Sequence, residues 1–157
     1  MSELDFFLDK SKLVGNNNQI LSSTEFSNFL IEEKFEYVNV PSFNQLKDIQ
    51  AGEAGFKNAL VELDYAIAET GTVVIDSLNE NKRLATCLAE KLFVVMPQSK
   101  LVSRLNDVAD FLEERTSDMG GYVAFITGAS RTADIERVLT VGVHGPKEMT
   151  VIVVNDL

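Results

Sequence analysis

Three short polar segments carry the residues of this sequence best suited to chemistry. Glu69-Thr70-Gly71-Thr72 sets a carboxylate and two hydroxyls around a glycine. Glycine lets backbone come close to a ligand, and the hydroxyls can donate to an anionic oxygen. Thr127-Gly128-Ala129-Ser130-Arg131-Thr132-Ala133-Asp134 follows an apolar run that ends at Ile126. A strand, a glycine and then small hydroxylated residues opening a helix make an anion site, because unpaired amides and the helix dipole converge there. Arg131 adds a planar fork of donors for a carboxylate or phosphate. Gly142-Val143-His144-Gly145-Pro146 contains the only histidine of the chain, a side chain able to act as acid, base or donor near neutral pH. Each segment also has a plainer reading. The threonines suit a strand bend, Asp134 suits a helix cap or an ion pair with Arg131 worth at most about 1 kcal/mol, and His144 suits a turn bonded to backbone.

Other chemistries find little support. One histidine and one cysteine far apart, with no carboxylates at ligand spacing, do not form a metal site. No nucleophile elbow, phosphate-binding loop or dinucleotide glycine fingerprint is present. Cys87 reads as a small buried hydrophobe, and alone it can neither form an internal disulfide nor hold an iron–sulphur cluster. With 24 acidic against 14 basic residues the net charge is −10, which disfavours nucleic acid and anionic membrane surfaces. The first residues lack a basic stretch followed by an apolar run, and no stretch approaches the roughly 20 apolar residues of a bilayer span. A cytoplasmic protein of one domain over residues 1–157 is the expectation.

These loops need a scaffold. The polar run Gly15-Asn16-Asn17-Asn18-Gln19 marks residues 1–20 as a loosely packed N-terminal segment. Ser22 and Glu25 have the form of a capping box and predict a helix from about Thr24 to Lys34, followed by a short strand Tyr37-Val38-Asn39-Val40 stopped by Pro41. Ser42 to Gly55 reads as loop. Val61, Leu63, Tyr65 and Ile67 alternate with less apolar neighbours, which predicts a half-buried strand, and Val73-Val74-Ile75 predicts a second one so soon after Gly71 that a hairpin or sharp bend must join them. Leu92 to Met96, Tyr122 to Ile126 and Met149 to Val154 read as strands covered on both faces. Leu101, Leu105, Val108 and Leu112 predict an amphipathic helix. Together they predict an α/β fold, a three-layer αβα sandwich around a mixed, largely parallel sheet. In such sheets ligands sit beyond the carboxyl ends of strands, where all three loops are expected.

Ala66 to Val74, Phe125 to Glu136 and Val141 to Pro146, taken in series, resemble the defining segments of the LUD family, the lactate-utilisation protein C type. The likeness covers residues 60–157 as a family core. It implies a fold similar to the ribose-phosphate isomerase and CoA-transferase superfamily. It also implies a role as an accessory component in oxidising L-lactate to pyruvate, beside iron–sulphur proteins encoded in the same operon, with the clusters on those partners and no cofactor on this chain. An alternative from the superfamily is a small-molecule enzyme or sensor acting on a carboxylate or phosphorylated metabolite. Thr70, Gly71, Thr72, Thr127, Gly128, Ser130, Arg131, Thr132, Asp134, His144 and Gly145 are then the ligand-binding candidates for a small anionic ligand. Glu69 and His144 are the catalytic candidates, Glu69 because the CoA-transferase relatives use a glutamate covalently.

Overall fold

The structure, a computed structural model, describes residues 1–48, 55–117, 121–130, 132–135, 138–141 and 145–157; for 132–135 and 138–141 it describes the backbone only. In chain order the elements are α1 (Glu3–Leu13), β1 (Asn17–Leu21), α2 (Ser23–Glu32), β2 (Tyr37–Val40), β3 (Gln45–Lys47), β4 (Phe56–Glu62), β5 (Tyr65–Ile67) and β6 (Thr72–Asp76). They continue with α3 (Glu80–Leu88), β7 (Ala89–Pro97), β8 (Leu101–Val102), α4 (Ala109–Ser117), β9 (Val123–Ile126), β10 (Thr132–Ile135), β11 (Val138–Val141) and β12 (Glu148–Val154).

A mixed, mostly parallel sheet of order β1-β12-β7-β4-β2-β3 runs through the centre, with β3 antiparallel at one edge. Its middle strands are the near-continuous apolar runs, as sheets covered on both faces require. Tyr37, Ala59, Val61, Leu92, Val94, Met149 and Val151 turn one way and pack with Phe7 of α1, Ala85 of α3 and Val73 and Ile75 of β6. Leu60, Val95, Ile152 and Val154 turn the other way and meet Phe26, Phe29 and Leu30 of α2. Helices thus lie on both faces of the sheet, the α/β arrangement that the strand pattern predicts. Among the described residues no helix is long and apolar enough to cross a membrane.

The strand predicted across Val61 to Ile67 is two strands in two sheets. β4 ends at Glu62, the Leu63 amide still donates to Val95, and the Asp64 amide already donates to Val74 across the gap. From there β5 and β6 form an antiparallel hairpin inside a second sheet of order β8-β5-β6-β9, whose outer face is covered by Val108, just before α4, and by Phe111 and Leu112 of α4. Apolar alternation survives the crossing because both sheets bury alternate residues, so periodicity alone does not mark the break. The helix predicted from Leu101 starts later for a related reason: Leu101 and Val102 pair with Ala66 and Ile67, and Asp107 accepts from the Arg104 amide to begin the turn that leads into α4.

The first twenty residues are not loosely packed. Ser2 and Asp5 cap α1 reciprocally, and Phe7 and Ser11 are fully buried on its inner face. β1 then adds to the edge of the central sheet beside β12, where Asn17 and Gln19 can be polar because they are exposed. Ser42 to Gly55, read as loop, contributes β3; residues 49–54 lie outside the described residues. Cys87 is exposed rather than buried, since Ala85 and Thr86 form the buried side of α3.

The two N-terminal caps give the fold a pH dependence. Hydrogen bonds from the Ser2 backbone and hydroxyl hold the Asp5 carboxyl below its ordinary value, and those from Ser22 do the same to Glu25. A carboxyl depressed in the folded state stabilises it above the unfolded value and loses that contribution as pH falls. Urea melts from pH 7 to pH 3 are expected to lose stability through the carboxylate range, roughly pH 5 to 2, with a shallower slope in the Asp5→Asn/Glu25→Gln double variant. An identical slope in the variant contradicts this.

Candidate functional site

The Glu69–Thr72 segment is the turn of the β5–β6 hairpin, closed by the Gly71 amide donating to Ile67. Gly71 has φ +67, and a Cβ there would stand 2.7 Å from the Ser11 amide nitrogen and 2.9 Å from the Lys10 carbonyl carbon. The close backbone approach predicted for this glycine is therefore to the end of α1. Thr70 is exposed, whereas Thr72 is buried and its Oγ1 lies 2.9 Å from Thr127 Oγ1, joining the first segment to the second. Glu69 points elsewhere: its Oε1 accepts from the Leu105 amide at 2.9 Å, beside a separate hollow of about 430 Å³ lined by Glu3, Phe6, Ser103 and Arg104.

The Thr127 segment leaves the end of β9. The Thr127 carbonyl accepts from Asn16 Nδ2 at 2.8 Å, and the same nitrogen donates to Ser11 Oγ at 3.2 Å. Ser11 Oγ in turn donates to Asn18 Oδ1 at 2.8 Å, so a polar chain ties α1 and β1 to the loop. Gly128 lies against this chain, with a Cβ there only 3.1 Å from Asn16 Oδ1. The Ser130 amide donates to the Pro146 carbonyl at 2.7 Å, and Gly145 stands beside Ser130, so the described end of the third segment meets the second. The helix expected to open here is absent. Thr132–Ile135 is a strand paired antiparallel with Val138–Val141, which places the Thr132 and Asp134 backbones in a ribbon and removes the helix-dipole argument for an anion. Arg131, Gly142, Val143 and His144 lie outside the described residues, as do the side chains of Thr132 and Asp134.

What forms around Thr127, Gly128 and Ser130 is an open groove of about 700 Å³, walled by Tyr122 to Ser130, by Thr86 and Cys87 of α3, and by Val14, Gly145 and Pro146. It lies beyond the carboxyl end of β9, as expected for the Thr127 segment, but at the amino ends of β1, β7 and β12 of the central sheet. The two differ because Thr127 follows a strand of the second sheet, while Gly145 and Pro146 precede a strand of the first. The described lining offers hydroxyls, a thiol, two aromatic rings and main-chain amides, with no charged side chain. Such a lining offers hydrogen bonds and apolar contact rather than charge. Among the described residues no group of three or more His, Cys, Asp or Glu side chains is placed to hold a metal.

Asn16 is the residue that sequence reasoning passed over. It lies inside a polar run that reads as loop, yet it is 5% exposed and holds the Thr127 carbonyl. Asn16→Ala is expected to lower stability by about 1–2 kcal/mol and to speed amide exchange at Gly128 and Ala129. Unfolding in urea and hydrogen exchange by mass spectrometry check this; unchanged exchange at those amides contradicts it.

The lactate utilization protein C of Anoxybacillus flavithermus is 32% identical over 136 residues, which cover 80% of this chain and 61% of that protein. Those of Geobacillus kaustophilus and Bacillus subtilis are 42% and 31% identical over 97 and 118 residues, covering 59% and 69% of this chain and 40% and 49% of their own lengths. The chain thus spans about 40–61% of the length of the curated relatives it matches. The crystal structure of a DUF162 family protein from Deinococcus radiodurans superposes with a TM-score of 0.72 over 99% of both chains at 19% identity, a likeness of fold. Residues 47–154 match the LUD domain, and with relatives this similar over four-fifths of its length the chain belongs to the LUD domain family.

Proposed function

We propose that this chain acts in lactate utilisation as an accessory component of an iron–sulphur-dependent L-lactate oxidation system, its iron–sulphur partners carrying the redox centres. The observation that carries this reading is the match to lactate utilization protein C across 80% of the chain in one relative and 69% in another. One cysteine in 157 residues gives the chain no set of thiolates for a cluster, so electrons taken from lactate pass to centres held elsewhere. A tagged chain expressed at its native level in cells growing on L-lactate is expected to co-purify with proteins showing iron–sulphur absorbance. Recovery of the chain alone, under conditions that preserve other complexes, contradicts the reading.

The groove favours a second reading, in which the chain binds a small carboxylate or phosphorylated metabolite through Thr127, Ser130 and the neighbouring amides. Thermal-shift measurements with lactate, pyruvate, sugar phosphates, nucleotides and CoA test it. A shift with one of these that a Thr127→Ala/Ser130→Ala double variant abolishes supports the reading, and no shift with any of them counts against it.

A further inference from the structure

We propose that Thr72 is a positioning residue that makes the Thr127–Ala129 wall of the groove a row of hydrogen-bond donors, selecting a monocarboxylate as the ligand. This rests on the reading of the groove as a metabolite site and names the class of metabolite. Thr72 and Thr127 face each other across β6 and β9, one step beyond the pair of Val73 with Ile126. The Ser77 amide donates to the Tyr122 carbonyl, and hydrogen-bonded pairs recur at every second residue from there, so Val73 and Ile126 are bonded through main chain and Thr72 and Thr127 are not. The unbonded position brings side chains closest, and there the two Oγ1 atoms lie 2.9 Å apart.

Burial decides which hydroxyl gives up its proton. Thr72 is 5% exposed, and among the described residues Thr127 Oγ1 is the one partner of its hydroxyl. Were Thr127 the donor, the Thr72 proton would be sealed away with nothing to accept it, the costly state for a hydroxyl. Thr127 is exposed and lines the groove, so its own proton reaches water or a ligand once Thr72 has donated. Thr72 therefore donates. Accepting that bond also polarises the Thr127 hydroxyl and strengthens its own donation.

The next two residues extend the same polarity. Among the described residues the Gly128 and Ala129 amides have no main-chain acceptor, whereas the Thr127 carbonyl is already held by Asn16 Nδ2 at 2.8 Å. One hydroxyl and two amides thus stand in series along the groove as donors. Donors fit a group that only accepts, which a carboxylate does and a carboxamide does not. Charge narrows the choice further. The net charge of −10 repels a phosphate dianion about twice as strongly as a carboxylate, and no charged side chain in the described lining offsets the difference.

Titration of the isotope-labelled whole chain with L-lactate, pyruvate, L-lactamide and inorganic phosphate, followed by NMR, tests the proposal. The Gly128 and Ala129 amides are expected to shift with the two carboxylates at concentrations where lactamide and phosphate leave them unmoved. Thr72→Val is expected to weaken carboxylate binding about three- to tenfold, the worth of one hydrogen bond, and to narrow the gap between lactate and lactamide. Thr72→Ser keeps the donor and is expected to restore both. A role confined to stability would lower Tm without moving the ratio of lactate to lactamide affinity, and that result overturns the proposal. Should Thr72→Val fail to fold, the wild-type chain still decides: the slowly exchanging hydroxyl proton of the pair is expected on Thr72, and its assignment to Thr127 overturns the proposal. Carboxylate binding that Thr127→Val removes and Thr72→Val leaves unchanged overturns it too, while the groove reading stands. No shift of those amides with either carboxylate also overturns it, and the groove reading then survives only if phosphate or a sugar phosphate moves them.

Discussion

Gly71→Val is expected to unfold at a much lower urea concentration than the wild-type chain, with a loss of about 2–5 kcal/mol. Two costs add. A β-branched residue in the left-handed region is strained by roughly 1–2 kcal/mol, and driving a side chain into packed backbone costs about 1–3 kcal/mol more. The second cost arises because the added Cβ would meet the Ser11 amide nitrogen at 2.7 Å, in a helix whose inner face is fixed by buried Phe7. Gly15 is the control: its φ is +89, but nothing lies within 4 Å of an added Cβ. Gly15→Ala therefore carries only the strain, about 1–2 kcal/mol. Equal losses in Gly15→Ala and Gly71→Val would mean that Gly71 serves the turn alone and not the seating of α1. The seating matters to the groove, because Gly71 is followed by Thr72, whose hydroxyl meets that of Thr127.

Phe7→Ala is expected to cost about 3–5 kcal/mol, the range for emptying a buried phenylalanine site. Phe7 is fully buried within the main core cluster, together with Val73, Ile75, Val94 and Val151. Phe6, one position away, is 38% exposed, and Phe6→Ala should change stability by less than about 1 kcal/mol. Chemical denaturation of both variants decides the matter. A Phe7→Ala chain as stable as wild type would mean that α1 is the loose segment its polar surroundings suggest in sequence.

That contrast shows what the residues disclose and what they conceal. The buried strands of the central sheet are legible because both of their faces are covered, which leaves unbroken apolar runs such as Leu92 to Met96. The cap of α2 is legible because Ser22 and Glu25 bond locally, and local chemistry needs no knowledge of the fold. The change of sheet at Leu63 and Asp64 is not legible, since alternation continues through it while the hydrogen-bond partners change. Of the candidate site, the meeting of Thr72 with Thr127 and of Ser130 with Pro146 follows from segments singled out in sequence. Their setting does not. Asn16 comes from 111 residues away, and the groove opens at the amino ends of the parallel strands because two different sheets contribute its walls. Glu69 adjoins Thr70 and Thr72 in sequence, but a hairpin turn sends neighbours in different directions, and its carboxylate holds the Leu105 amide instead.

Growth tests the central claim most directly. The gene is deleted in the organism that carries it, and growth is followed on L-lactate and on glucose as sole carbon sources. Normal growth on glucose, loss of growth on L-lactate, and recovery when the intact gene is restored are expected. Unimpaired growth of the deletion strain on L-lactate would contradict it.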